Sequence, residues 1–415
     1  MMLSIDKIFS LNIFISLLLL LTGCGGESPR VNAANQSLHQ DKPAALRPLY
    51  QKLSRESKHN AVLNNNQIGV AALGMGELRL AAHAFDRSLM QIETVYANTE
   101  SAAKARSLWF EEGAKDFKGE PYERVMAYYY RGLLYMMDGD YENARASFKG
   151  GILQDAFAEE KQNRCDFALM IFLEGWASQQ LGDTELAKAA YIEVKKLRPD
   201  FATPALEDNI LLISETGLSP RKVSDGVGHS ELKFRRGKQF KEKRAAYRVK
   251  GKNLNAYPME DIFWQATSRG GRPVDRILEG KVEFRNSTSG IGLTLSDTAN
   301  EAMSKAAIFG SASGTVQVFS GGVAILGAVT TMAAIHSRPE ADIRYWKNLP
   351  DGVHIFTMQG DPKNLRVQGL FKNKYGRVLP KLTLERNIHV ADNSGIAWFR
   401  SQESIPSIKG HNVLK

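Results

Sequence analysis

Four positions recur at fixed distances in the first half of this 415-residue chain, and that recurrence limits the fold more than any other feature. From Gly69, Gly132 and Gly175, a second glycine falls seven positions on (Gly76, Gly139, Gly182) and an alanine twelve on (Ala81, Ala144, Ala187). An aromatic falls sixteen on: Phe85, Phe148 and Tyr191. A small residue at the first position lets two helix backbones cross closely, and the second glycine supplies the positive φ of an interhelical turn. The aromatic fills the space left between the helices. The pattern therefore requires antiparallel helix pairs, three times over.

These offsets resemble the tetratricopeptide repeat, a helix pair of about 34 residues. Tyr128, Tyr135 and Tyr141 support the second unit, Asp183 the third, and Pro199 ends it. The anchors lie 63 and then 43 residues apart, so the array is interrupted. Residues 92–120 predict an irregular helix pair, and 152–164 a charged helix extension or loop. Helical periodicity runs from about Leu46 to Ile213, giving an all-α repeat domain over 46–218. The resemblance implies a concave groove that holds a peptide or a partner protein.

After Gly217 the texture changes to short alternating runs divided by Gly, Pro and Asn, which predicts a β-rich domain over 219–415 and an α+β chain overall. Strands are expected at 245–249, 281–286, 353–358, 365–368, 382–390 and 396–400. A hairpin is read from Phe263–Ser268 and Val274–Leu278 around Gly270-Gly271. Within this half, residues 306–337 form a Gly/Ala-rich apolar segment, preceded by a capping box at Thr298 and Glu301. Its stretch 315–335 is long enough to span a bilayer, and Gly310 with Gly314 has the spacing of close-packed helices. Gln317, Ser320, Thr330 and Thr331 dilute the hydrophobicity, so a buried helix of the β-rich domain is the simpler reading.

The segment Leu21-Thr22-Gly23-Cys24 closes a short apolar run and resembles the lipobox of bacterial lipoproteins. The resemblance implies cleavage between Gly23 and Cys24, a signal peptide over 1–23, acylation of Cys24 and a flexible lipidated tether over 24–45. Gly25, where a retention signal would carry Asp, implies an outer-membrane anchor facing the periplasm. Cys165, the other cysteine, then has no partner and reads as a small buried helix residue.

Net charge is +9, and residues 221–252 hold twelve Lys or Arg against three acids. Arg235, Arg236, Lys238, Lys241, Lys243 and Arg244 are the densest part. In an exported protein such a run points to anionic lipid or an acidic protein surface and away from nucleic acid.

Catalytic motifs are not found. The eight histidines are dispersed without metal-ligand spacing, so neither metal nor cofactor is expected. Gly310-Ser-Ala-Ser-Gly314 carries Ala where a nucleophile elbow needs Ser, and Pro220 disrupts the Ser-x-x-Lys spacing at Ser219–Lys222.

Gly119-Glu-Pro-Tyr-Glu-Arg124, Leu173-Glu-Gly-Trp176, Glu215-Thr-Gly217 with Pro220-Arg-Lys222, and Ala341–Pro350 together resemble an uncharacterised family of bacterial tetratricopeptide-bearing lipoproteins. The resemblance implies architecture and location and carries over no catalytic residue. On the residues themselves, Glu120 suits a helix start, Trp176 packs between repeats, Asp342 pairs with Arg344 and Trp346 anchors a loop against the β-rich half. The chain is thus expected to be a non-enzymatic scaffold binding an envelope protein. A regulator of cell-wall synthesis, an envelope hydrolase, and a membrane-inserting component using 315–335 are the competing readings. Radiolabelled palmitate should enter the native protein and not the Cys24→Ser variant; equal labelling of both would remove the anchor.

Overall fold

The computed structural model describes residues 39–93, 116–156, 166–218, 220–225, 231–237, 240–267 and 342–406. Gly23, Cys24, Cys165, Lys238, the expected strand at 281–286 and the apolar segment 306–337 lie outside them.

Helix α1 (Arg47–Glu56) and a short 3-10 turn lead into three helix pairs: α2 (Ala61–Gly74) with α3 (Leu78–Glu93), α4 (Pro121–Met137) with α5 (Tyr141–Ala156), and α6 (Ala168–Gln180) with α7 (Thr184–Leu197). The repeated glycines build them in the same way each time. Gly76, Gly139 and Gly182 take φ of +78°, +80° and +82°. At each turn the amide after the glycine donates to the carbonyl five residues back, from Glu77 to Ala72, Asp140 to Tyr135 and Asp183 to Ser178. This is the Schellman closure that glycine permits. The first glycine of each unit faces its own aromatic: a Cβ on Gly69 would lie 2.5 Å from Phe85, and one on Gly132 would lie 2.3 Å from Phe148. On Gly175 it would meet Ala190 at 2.8 Å and Tyr191 at 3.0 Å. Ala81, Ala144 and Ala187 are fully buried at the same crossings.

Strand β1 (Ile210–Thr216) lies inside the stretch read as helical. Its apolar run is buried on both faces, so it carries no alternation to distinguish it from a core helix. A hairpin follows, β2 (Arg221–Asp225) and β3 (Glu231–Arg235), then β4 (Glu242–Val249), β5 (Lys252–Asn255) and β6 (Tyr257–Asp261). Helix α8 (Ile262–Thr267) replaces the strand expected at Phe263–Ser268. Asp261 explains the helix, accepting the Trp264 amide at 2.9 Å as an N-terminal cap. After it come β7 (Gly352–Met358), β8 (Arg366–Asn373), β9 (Leu384–Asn387), β10 (His389–Ala391) and β11 (Ser394–Arg400).

The strands make a five-stranded sheet in the order β10-β11-β1-β7-β6 and a four-stranded sheet in the order β5-β4-β8-β9. β1 pairs parallel with β11 and antiparallel with β7. Alternation along β1 divides its side chains: Leu211 and Ile213 join the core of the helices, whereas Ile210 and Leu212 join Tyr247, Val249, Val367, Phe371 and Phe399 between the sheets. The described residues therefore form three layers, helices, first sheet and second sheet, with the first sheet buried on both sides. Trp346 also departs from expectation. It is buried among the helices, with ring centroids 5.7 Å from Tyr130 and 6.1 Å from Phe85, because its loop runs over the repeat stack.

Gly132→Ala places a methyl against Phe148 at the centre of the second unit. It should cost about 1–3 kcal/mol of stability by overpacking, read as a lower denaturation midpoint; an unchanged midpoint would show that Phe148 has room to move.

Candidate functional site

In a repeat stack the inner face is where partners are held. Here that face is already covered by the chain's own sheet and the loop 342–351. Thirteen of the fourteen residues of α2 are buried, as are most of α4 and α6. In α3 and α7 only one side is buried.

Polar side chains set into apolar strands hold the two halves together. Glu215 of β1, fully buried, accepts hydrogen bonds from Tyr129 Oη at 3.1 Å, Tyr130 Oη at 3.0 Å and Trp398 Nε1 at 3.0 Å. Arg400 of β11 pairs with the same carboxylate at 2.5 Å and donates to the Asn348 carbonyl. Burial pushes the Glu215 carboxyl up, and the Arg400 guanidinium opposes that shift. Four donors on two oxygens satisfy the carboxylate in its charged form. The arrangement orients β1 against α4.

A second cluster lies where α4 begins. Glu120 and Glu123 form a reciprocal capping box, and Glu123 also accepts the Trp346 amide at 2.8 Å. Lys222 of β2, buried, reaches Glu123 at 3.1 Å and Glu120 at 3.3 Å. Burial raises the Glu123 carboxyl, with the Lys222 charge opposing. Further along, Asn348 donates to the Gln67 carbonyl of α2 at 3.1 Å and accepts from Trp346 Nε1 at 2.6 Å. Arg344 pairs with Asp342 at 2.8 Å, as expected, and also reaches Asn60 Oδ1 at 2.9 Å. At the third unit, Glu260 accepts the Leu169 amide at the start of α6 and pairs with Arg198 at 3.0 Å. Burial raises its carboxyl to about 7, opposed by Arg198.

Three of the segments that carry the family resemblance thus converge on this one interface. Leu173–Trp176 lies in α6, where Trp176 stacks on Phe172 at 6.5 Å. Arg400 escaped the sequence reading. Its signal was a lone cation ending the apolar strand Ile396–Phe399, the mirror of Glu215 ending Ile210–Ile213.

Among the described residues, part of the basic run is neutralised within the molecule. Arg236 pairs with Asp351 at 2.7 Å and Asp261 at 2.5 Å, and Lys243 reaches Asp351 at 3.4 Å. Lys222 is consumed by the buried cluster. Arg235, Lys241 and Arg244 remain exposed. Asp351 and Glu123, which neutralise much of the run, come from distant segments that spacing along the chain cannot reveal.

Two clefts of about 340 and 230 Å³ run along the rim between the α2 end and β9–β11, sharing Gly74, Arg386 and Trp398. A third of about 310 Å³ is lined by Arg198, Met259, Glu260, Asp261 and Trp264. Among the described residues no group of three or more His, Cys, Asp or Glu is placed to hold a metal ion. Nor is any described helix long and apolar enough to cross a membrane.

The family model for the tetratricopeptide repeat matches residues 169–201, which span α6, α7 and the turn through Pro199. The chain therefore contains a tetratricopeptide repeat, the architecture of protein-binding scaffolds. No curated protein and no solved structure matches it.

Removing one member of the buried pair strands the other. Arg400→Ala should destabilise the fold by about 3–5 kcal/mol, and Arg400→Met combined with Glu215→Gln by clearly less. Denaturant titration of both variants beside the native protein decides; a double variant that loses as much as Arg400→Ala would show that the stranded charge is not the cause.

Proposed function

We propose that this protein is a lipid-anchored scaffold of the bacterial envelope that binds another protein through the outer helices of its repeats. The observation that carries the reading is a matched tetratricopeptide unit whose inner face is closed while its outer layer displays unpartnered apolar side chains. Met90 of α3, Leu153 of α5 and Ile192 of α7 are 62%, 61% and 59% exposed. Large apolar groups on successive second helices offer a docking surface that the occupied groove does not.

Location rests on the resemblance at Leu21–Cys24, which supports acylation at Cys24 and an outer-membrane anchor facing the periplasm. A partner in the same compartment follows from that reading. The work is binding without turnover.

A photo-crosslinking residue placed at Leu153 or Ile192 in cells should capture one recurring protein, whereas the same probe at Arg248, on the far sheet, should not. Failure at both outer-helix positions, or equal capture at Arg248, would overturn the reading.

A further inference from the structure

Strand β8 ends in a tight, exposed turn. Asn373 builds it: its side-chain oxygen accepts the amides of Tyr375 at 2.9 Å and Arg377 at 3.1 Å, and its amide donates to the Arg377 carbonyl at 2.9 Å. Gly376, at φ +80°, allows the reversal, and a Cβ there would meet nothing within 4 Å. Tyr375 is held on this rigid tip with 75% of its surface exposed, and Val378 beside it with 38%.

Charge around the tip has one sign. From Pro362 to Leu384 there are six Lys or Arg and no acid. Lys374 lies 4.9 Å from the Tyr375 ring, and Lys372 sits opposite Arg244 across the sheet, both on its outward face. Glu242, the nearest acid on β4, is buried and turned toward Ser401 and the Gly217 amide. Glu385 stands opposite Gln368, away from the turn.

We propose that this tip is a contact for the surface of an anionic bilayer, with Tyr375 entering the headgroup layer and Lys374, Arg377, Lys372 and Arg244 facing lipid phosphates. A Tyr is suited to that depth, apolar along its ring and polar at its hydroxyl, and basic groups near a negative surface add attraction that salt screens. Shape favours a bilayer over a protein. A narrow convex turn buries too little area for a stable protein interface, whereas shallow entry into a headgroup layer needs only its tip. The contact stands apart from the protein-binding reading, because it is tested with no other protein present.

Vesicle sedimentation supplies the test, using the chain from Gly25 onward, which holds all of the described fold. The parent should bind vesicles containing phosphatidylglycerol and not phosphatidylcholine alone, and 0.5 M salt should release it on the order of completely, since screening at that strength acts within a few ångströms. Replacing Lys374 and Arg377 together with Gln should weaken binding roughly thirtyfold. Tyr375→Ser should weaken it with the salt dependence retained. All the changes are at exposed positions, and unchanged thermal melting verifies the fold. Absence of parent binding, equal binding to the neutral vesicles, or full binding by both variants would overturn the proposal.

Discussion

The contact between Glu215 and Arg400 decides how the layers of this molecule meet. A carboxylate without water tolerates burial only when every lone pair finds a donor. Here the donors come from three places: two tyrosines of α4, a tryptophan of β11 and the guanidinium beside it. Sliding β1 by one residue would turn Glu215 toward the core between the sheets and leave those donors empty. The pair thus selects one register of sheet on helix, where apolar side chains alone would accept several. Lys222 between Glu120 and Glu123 does the same for the β2–β3 hairpin.

Because the sheet is fixed there, the repeats cannot do what open repeat stacks do. Their inner helices are core, and α2 is buried around nearly its whole circumference, a condition met in large protein interiors and not at a ligand groove. The repeat serves as one layer of a three-layer body. Its exposed large apolar side chains lie on the outer helices, at Met90, Leu153 and Ile192.

Much of this was legible in sequence, and the boundary is physical. The helix pairs were readable because glycine and an aromatic at fixed offsets are a local requirement, met within one turn and its two helices. Strands such as β4, β7 and β11 showed themselves by alternation or by short β-branched runs. Strand β1 did not, since burial on both faces erases its period, and the helix at Ile262–Thr267 was hidden because its capping Asp261 lies just outside a run rich in aromatics. The closed groove and the divided basic run were out of reach for a shared reason. Both depend largely on pairings across more than 80 residues, as between Tyr129 and Glu215 or Arg236 and Asp351.

One topological detail bears on how the chain reaches this state. Strand β11 lies between β10 and β1, parallel to a partner 185 residues earlier at the Glu215–Arg400 rung. Until that late strand arrives, β1 lacks its parallel neighbour, the part of α4 that meets β11 lacks cover, and Glu215 has no counter-charge. Contacts so distant along the chain form slowly and leave sticky surface exposed meanwhile. During synthesis the helical half would therefore pass through a state with apolar surface still exposed, which closes only when β11 docks beside β1.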